Sequence, residues 1–388
     1  MDRKENKGWL FQKASNSFTV SILVLAYAYF LIVLNRWMFT SLGLKSYGRV
    51  WQYYVSYVEV GFVRRALLGT ILCITRLNVA IRNEYAFAHV FTAILGIACV
   101  SLIYCLMKDA GLSRALAIGI AFAPPLLAHF GYFTGSLVFP LFLLLCIAIL
   151  YARNMVVVLV ITTIGILTHE AFLFYVPFLA AMTMAARADE TGKEDARIPV
   201  AITAFSFLVL LGLRLFSAPP MDASQYASMM AAKIPRAAYQ HPYWSGYFEL
   251  YSTVPQNIGL GNESMKLLFT KNGVLAFIPF AYAILLAGYC IKSISAGVLT
   301  KIATGFGIVF PFFACFVAAD FLRWVCMSAG CALLAIIVFS KRGRMNVRDR
   351  FSSVLLAFCL LSPFGAVEPN WAFPLQQFIL EKVYQRIR

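Results

Sequence analysis

Apolar runs separated by short basic loops recur from one end of the chain to the other. They place spans near 18–35, 85–107, 115–131, 136–152, 155–169, 171–186, 198–216, 274–291, 301–319, 321–340 and 351–367, about eleven in all. Some fall a little short of the ~20 residues that a bilayer requires of a helix. The pattern predicts an all-α fold, a polytopic membrane helical bundle with juxtamembrane helices in its first outer loop.

The loops set the expected organisation. The first run, Phe18 to Leu34, follows Arg3, Lys4, Lys7 and Lys13 and has no small-residue cleavage site before Asn35-Arg36-Trp37, so it reads as a retained first span. Residues 1–17 form a cytoplasmic amino-terminal segment, 18–367 a single transmembrane domain and 368–388 an outer carboxy-terminal segment. Lys108, Arg114, Arg153, Arg187, Lys193, Arg197, Lys292, Lys301 and the basic run Lys341 to Arg350 then share the cytoplasmic side, as the positive-inside bias requires. Residues 36–84 and 217–272 face outward.

A second crossing through Gly61 to Leu77 would reverse every later loop. That stretch is therefore expected to lie in the outer interface as short helices, where Arg65 and Arg76, about three turns apart, would share a face. The first outer loop is unusually basic, with Arg49, Arg64, Arg65, Arg76 and Arg82. The second carries the aromatic run YQHPYWSGY from Tyr239 to Tyr247; its rings suit the headgroup belt, with the apolar faces of sugars as the alternative.

Composition agrees with the pattern: 61% of residues are hydrophobic and 13% charged, and the mean hydropathy is +0.77. A formal charge of +16 raises the question of nucleic acid, but the basic residues sit in short loops beside apolar runs and no nucleic-acid module is present. No nucleic-acid partner is expected. The nine cysteines all fall in apolar segments, without a CxxC or a histidine at ligand spacing, and read as small packing residues.

Ionisable residues at membrane depth cost several kcal/mol, so they line cavities or pair with one another. His129, His169, Glu170, Arg214, Asp320 and Arg323 all map to the outer side, which suggests an outward-facing polar cavity. Each has a plainer reading. Asp320 and Arg323, three residues apart, suit an ion pair at a span junction; His129 suits the interface, and His169 suits packing. Arg36 and Arg214 suit snorkelling to headgroups. The densest set is Tyr57 to Gly69, YVEVGFVRRALLG, where Glu59 precedes Arg64 and Arg65 in an apolar setting.

This layout resembles the GT-C superfamily of membrane glycosyltransferases, which use polyprenyl-phosphate or polyprenyl-pyrophosphate sugars. The thirteen residues of YVEVGFVRRALLG are also similar to the E/D-x-GF-x-RR-x-LLG pattern of bacterial membrane proteins associated with surface polysaccharide synthesis. The resemblance implies that Glu59 takes the place of the first-loop acidic catalytic base. Many members have Asp there, often in a DD or DE pair, which this chain lacks. Some also bind a divalent metal through several carboxylates; no metal and no other cofactor is expected here, since Glu59, Glu84, Glu170 and Asp320 are few and scattered.

The chemistry of the residues points the same way. An acceptor hydroxyl must lose its proton as it attacks the anomeric carbon, which Glu59 could take, and the departing phosphate needs guanidinium partners. Arg64, Arg65 and Arg323 are the expected phosphate ligands, with His169, Glu170 and Asp320 orienting sugar hydroxyls or arginines. A single displacement would invert the anomeric centre. The expected partners are a polyprenyl-linked sugar donor, a saccharide or lipid-linked acceptor and membrane lipids, at the periplasmic face of a bacterial inner membrane. A repeat-unit polymerase of O-antigen or exopolysaccharide, a lipid-linked oligosaccharide flippase and a non-catalytic scaffold are the competing readings.

Overall fold

The computed structural model describes residues 3–35, 49–123, 125–132, 134–235, 243–253, 255–259, 262, 266, 277–316, 321–345, 347, 351 and 353–355. Arg36, His241, Asp320, nearly all of 351–367 and all of 368–388 therefore lie outside the described residues. Among those described the secondary structure is helical, with no strand and one isolated bridge between Ile294 and Met345.

In chain order the helices are α1 (Arg3–Leu34), α2 (Tyr57–Val60), α3 (Leu67–Ile74), α4 (Leu77–Ala80), α5 (Glu84–Met107), α6 (Arg114–Ala121), α7 (Val138–Leu150) and α8 (Met155–Thr168). They continue as α9 (Val176–Thr191), α10 (Arg197–Leu215), α11 (Ala223–Lys233), α12 (Tyr243–Tyr251), α13 (Phe277–Ser293), α14 (Val298–Val309) and α15 (Phe321–Lys341).

Among the described residues, six stretches are long and apolar enough to cross a bilayer: Asn16–Leu34, Glu84–Met107, Glu170–Thr191, Arg197–Leu215, Val298–Phe316 and Arg323–Lys341. Val138–Leu150, Met155–Thr168 and Phe280–Ser293 are apolar but shorter. Large apolar side chains lie on the outside of these helices: Val20, Val24 and Leu25 of α1, Ile94 and Ile97 of α5, Val156 and Val160 of α8, and Phe207, Leu208 and Leu211 of α10. Water would drive such faces together, whereas lipid solvates them. The chain is an all-α protein of membrane type.

The stretch 115–131 departs from the expected single span. α6 stops at Ala121 and Ala128–Tyr132 forms a 3-10 turn. The Pro124-Pro125 pair between them removes two backbone donors and forbids an unbroken helix.

Helix α15 is almost wholly buried and α10 lies at the periphery. α15 packs chiefly on α13, and α9 on α14 and α10. Small residues permit the close crossings: α9 buries Ala180, Ala181 and Ala185, and a Cβ on Gly307 of α14 would run into the backbone of Phe178. A second, smaller core joins Trp51, Tyr53, Val60, Val63 and Leu72 to Tyr226, Met230 and Leu250, so the two long inter-helix segments fold against each other.

Side-chain links tie the opposite ends of the bundle separately. At one end Asn16 bonds Asp109 at 3.1 Å, Lys341 bonds the Cys105 carbonyl at 2.7 Å, and Arg342 and Arg344 pair with Asp189. Glu194 there accepts from the backbone N–H groups of Leu299 and Thr300, both at 3.2 Å, and caps α14. An open cleft of about 710 Å³ lies beside it, lined by Lys193, Glu194, Ser295, Gly297 and Arg344. The other end carries residues 49–83, 217–235, 243–253 and 255–259.

Candidate functional site

The thirteen-residue motif folds as two short helices joined by a sharp turn. Ser56 caps α2 by accepting from the Val58 N–H at 3.2 Å, and Gly61 ends it at φ 72°. A Cβ at Gly61 would lie 2.5 Å from that of Ala218. The Ala218 N–H donates to the Phe62 carbonyl at 2.8 Å and so fastens the second long segment to this turn. Thr70 joins the two helices, accepting from the Tyr57 N–H at 2.8 Å and donating to the Ala66 carbonyl at 2.7 Å.

Arg65 adopts φ 66°, a left-handed conformation that a non-glycine side chain takes only at a cost. Arg76 does the same at φ 58°, and the two residues flank α3 instead of sharing its face. The strained backbone at Arg65 delivers its guanidinium between two carboxylates. Its Nε donates to both oxygens of Glu170 at 3.1 Å, one terminal nitrogen reaches Glu170 Oε1 at 2.6 Å, and the other reaches Glu249 Oε2 at 2.7 Å.

Arg64 faces the same cluster and is equally committed. Its Nε donates to the Leu250 carbonyl at 2.8 Å; its terminal nitrogens reach the Ser252 carbonyl at 2.9 Å, the Ser252 hydroxyl at 2.5 Å and Glu170 at 3.4 Å. Glu249 also accepts from Gln52 Nε2 at 3.1 Å and lies 3.8 Å from Arg49. Gln52 in turn accepts from the Leu137 N–H at 3.1 Å, which locks the cluster to the start of α7. Arg323 is buried at the start of α15, where its charge bears on Glu249.

The titration behaviour follows from these contacts. Burial alone would lower the pKa of Arg65, yet Glu170 and Glu249 raise it above the ordinary arginine value. For Arg64 burial prevails over the pull of Glu170, and its pKa falls. Burial works against ionisation of Glu249, but Arg49, Arg65 and Arg323 hold its carboxyl below the usual glutamate range. His169 accepts from the Ala171 N–H through Nδ1 at 3.0 Å, capping the turn Glu170–Tyr175. An accepting Nδ1 has no proton to give, so its approach to Glu170 at 3.3 Å is a neutral contact and not an ion pair.

Glu59 lies apart from this network. Its carboxylate pairs with Lys233, the last residue of α11, whose ammonium also donates to the Tyr54 carbonyl at 2.9 Å. Arg64, Arg65, His169 and Glu170 thus come together, Arg323 reaches the cluster through Glu249, and Glu59 stands on a separate pair in the same turn-and-helix unit. Arg214 is near enough to act on Arg64 electrostatically. His129, also at this end, is buried against Phe130, with ring centroids 5.7 Å apart.

Sequence reasoning missed Glu249 and Lys233. One available signal was that Glu249 is a single carboxylate inside the aromatic helix YWSGYFELY, the same anomaly that singled out Glu59. Lys233 gave none, because a lysine at a helix end has an ordinary explanation. Among the described residues no three His, Cys, Asp or Glu side chains gather at metal-binding distance. Compared with protein-family models, with curated proteins and with solved structures, the chain matches none.

Proposed function

We propose that this chain is a membrane glycosyltransferase that moves a sugar or oligosaccharide from a polyprenyl-phosphate or pyrophosphate carrier to an acceptor at the outer face of a bacterial inner membrane. Its about eleven apolar segments cross the bilayer with the amino terminus in the cytoplasm. The observation that carries the reading is the setting of Glu59. Its side chain is 30% exposed, it belongs to a turn fixed by a partly buried arginine–carboxylate network, and its carboxylate pairs with Lys233 at the same end of the bundle.

In this reading Glu59 takes the proton of the acceptor hydroxyl as its oxygen attacks the anomeric carbon. The positive field of the neighbouring arginines favours the phosphate that leaves with the electron pair. The network of Arg64, Arg65, Glu170 and Glu249 is the frame that fixes the turn, and Arg323 adds charge behind it. A repeat-unit polymerase would use the same chemistry with a longer donor. A flippase would want polar groups along the middle of the bundle, whereas α15, the most buried helix, is apolar from Val325 to Phe339 except for Ser328.

The test is sugar transfer by the purified protein in lipid nanodiscs, with polyprenyl-linked sugars as donors. Glu59→Gln should cost roughly 100-fold or more in rate while leaving insertion and folding intact. Full activity in that variant would remove Glu59 from the mechanism.

A further inference from the structure

In both arginines that the motif advertises, every guanidinium nitrogen already bonds a protein acceptor. Arg65 bonds through Nε and both terminal nitrogens to Glu170 and Glu249, and Arg64 through all three nitrogens to Leu250, Ser252 and Glu170. A phosphate could claim either guanidinium only by leaving a largely buried carboxylate unpaired. Their side chains are 15% and 14% exposed.

Lys233 is differently placed. Among the described residues its ammonium has three protons and two acceptors, the Glu59 carboxylate and the Tyr54 carbonyl, and the paired side chains are 21% and 30% exposed. It is also held firmly: Tyr226 and Met230, two turns and one turn earlier on α11, are buried in the smaller core with Trp51 and Leu250. Around the same turn lie exposed apolar residues, Val58 beside Glu59, and Leu215 and Phe216 just before the Ala218 link to Phe62. A cation fixed at this end of the bundle, partly exposed and flanked by apolar surface, suits a phosphate carried on a lipid chain.

We infer that Lys233 is the phosphate ligand and that Glu59 is released as a base only when a lipid phosphate takes the ammonium from it. The inference rests on the carrier-lipid chemistry proposed above. While Glu59 Oε2 holds the Lys233 ammonium, that oxygen is occupied and is not available to an acceptor hydroxyl. The arriving phosphate oxygens replace Glu59 at Lys233, and the carboxylate swings free towards the acceptor. The acceptor O–H bond then breaks to Glu59, the new bond forms at the anomeric carbon, and the carbon–oxygen bond to the phosphate breaks with its electron pair. The phosphate leaves as an anion still held by Lys233, while Glu59 carries the proton until water removes it. Hydrolytic loss of donor is suppressed, because no competent base exists until the donor is bound.

A zero-length crosslink reads the pair directly. A carbodiimide should join the Glu59 carboxyl and the Lys233 amine as an amide, taking up the water lost, and peptide mass spectrometry would detect the joined fragments. The full chain in nanodiscs is treated alone and with decaprenyl phosphate, decaprenol or inorganic phosphate; Lys233→Arg and Glu59→Gln, each checked by thermal melting, give the baseline. At about ten times its dissociation constant, decaprenyl phosphate should cut crosslinking about tenfold, since roughly a tenth of the protein stays free. Decaprenol and inorganic phosphate at that concentration should leave it unchanged. Equal suppression by inorganic phosphate would overturn the lipid assignment and leave a free-phosphate site. Suppression by decaprenol, or equal crosslinking in all four conditions, would overturn the inference outright. The readout involves no sugar, so it can fail while Glu59-dependent transfer survives, or succeed where no transfer is found.

Discussion

Arg65 grips Glu170 with both an Nε and a terminal nitrogen, at 3.1 and 2.6 Å, from a backbone held at φ 66°. The residues are separated by 105 positions, and the contact fastens the motif turn to the junction between α8 and α9. Backbone strain at Arg65 is offset by its charge-assisted bonds to both Glu170 and Glu249. The pair is therefore a structural fastener on which the placing of Glu59 depends.

Removing one member should be worse than removing both. Glu170→Gln leaves the largely enclosed Arg65 without its main counter-charge; breaking a fully buried pair costs about 3–5 kcal/mol, and this partly exposed one should cost somewhat less. The variant should melt well below the parent in detergent. A double variant, Glu170→Gln with Arg65→Gln, should recover part of that loss in the same melting experiment. Additive losses would show that the two side chains act independently.

Arg65→Lys should be costly, although it keeps the charge. One ammonium cannot span Glu170 and Glu249 as a planar fork does, so one carboxylate loses its partner. The expected result is a lowered melting temperature together with weakened use of lipid-linked donor, since the turn bearing Glu59 loosens. At Lys233 the order differs: arginine there should preserve stability within about 0.5 kcal/mol, as for a change away from buried networks. Melting curves of the two variants side by side would decide.

Much of the architecture was legible because lipid imposes a simple rule: apolar runs become helices, and runs such as 85–107 and 198–216 reappear nearly unchanged as α5 and α10. The stretch around 115–131, expected as one helix, is broken instead, α6 ending at Ala121 before a separate 3-10 turn at Ala128–Tyr132, because the adjacent prolines count for more than hydropathy. Within the candidate site, Arg64, Arg65, His169 and Glu170 stood out as charges in apolar surroundings, and they do converge. Their partners did not stand out. Glu249 lies 184 residues from Arg65 and Lys233 lies 174 residues from Glu59, and nothing local encodes those meetings. The left-handed backbone at Arg65 was equally silent, since arginine has no intrinsic preference for positive φ and only the tertiary contacts maintain it.

Acid should weaken this end of the molecule in a defined way. The Glu249 carboxyl is held below the ordinary glutamate value of about 4.3 by Arg49, Arg65 and Arg323, against the opposing effect of burial. A depressed folded-state pKa contributes stability that is fully present above the unfolded value and is lost as pH falls through the folded value. Thermal melts should therefore be insensitive to this group at neutral pH and fall below about pH 4.3 as Glu249 protonates. Glu249→Gln should remove that part of the acid sensitivity while being less stable at neutral pH. An acid limb identical to the parent's would place the responsible carboxylate elsewhere.

The glycine that closes the motif gives the sharpest packing test. In an isolated helix Gly→Ala is favourable by up to about 1 kcal/mol, and α3 contains Gly69 in its interior. Here, however, a Cβ would run into the Val55 carbonyl and come within 3.1 Å of the Gln52 carbonyl, and these are backbone atoms that cannot rotate away. Overpacking of this kind costs about 1–3 kcal/mol, more than propensity returns, so Gly69→Ala should lower the melting temperature. It should also displace Gln52, loosening its bonds to Glu249 and to the Leu137 N–H. Gly212 in α10 supplies the control, because nothing lies within 4 Å of its ideal Cβ. Gly212→Ala should be neutral or stabilising, and the difference between the two variants isolates the contact from the helix propensity. If both alanines raised the melting temperature alike, the close approach of α3 to residues 52–55 would be wrong, and with it the frame that positions Glu59.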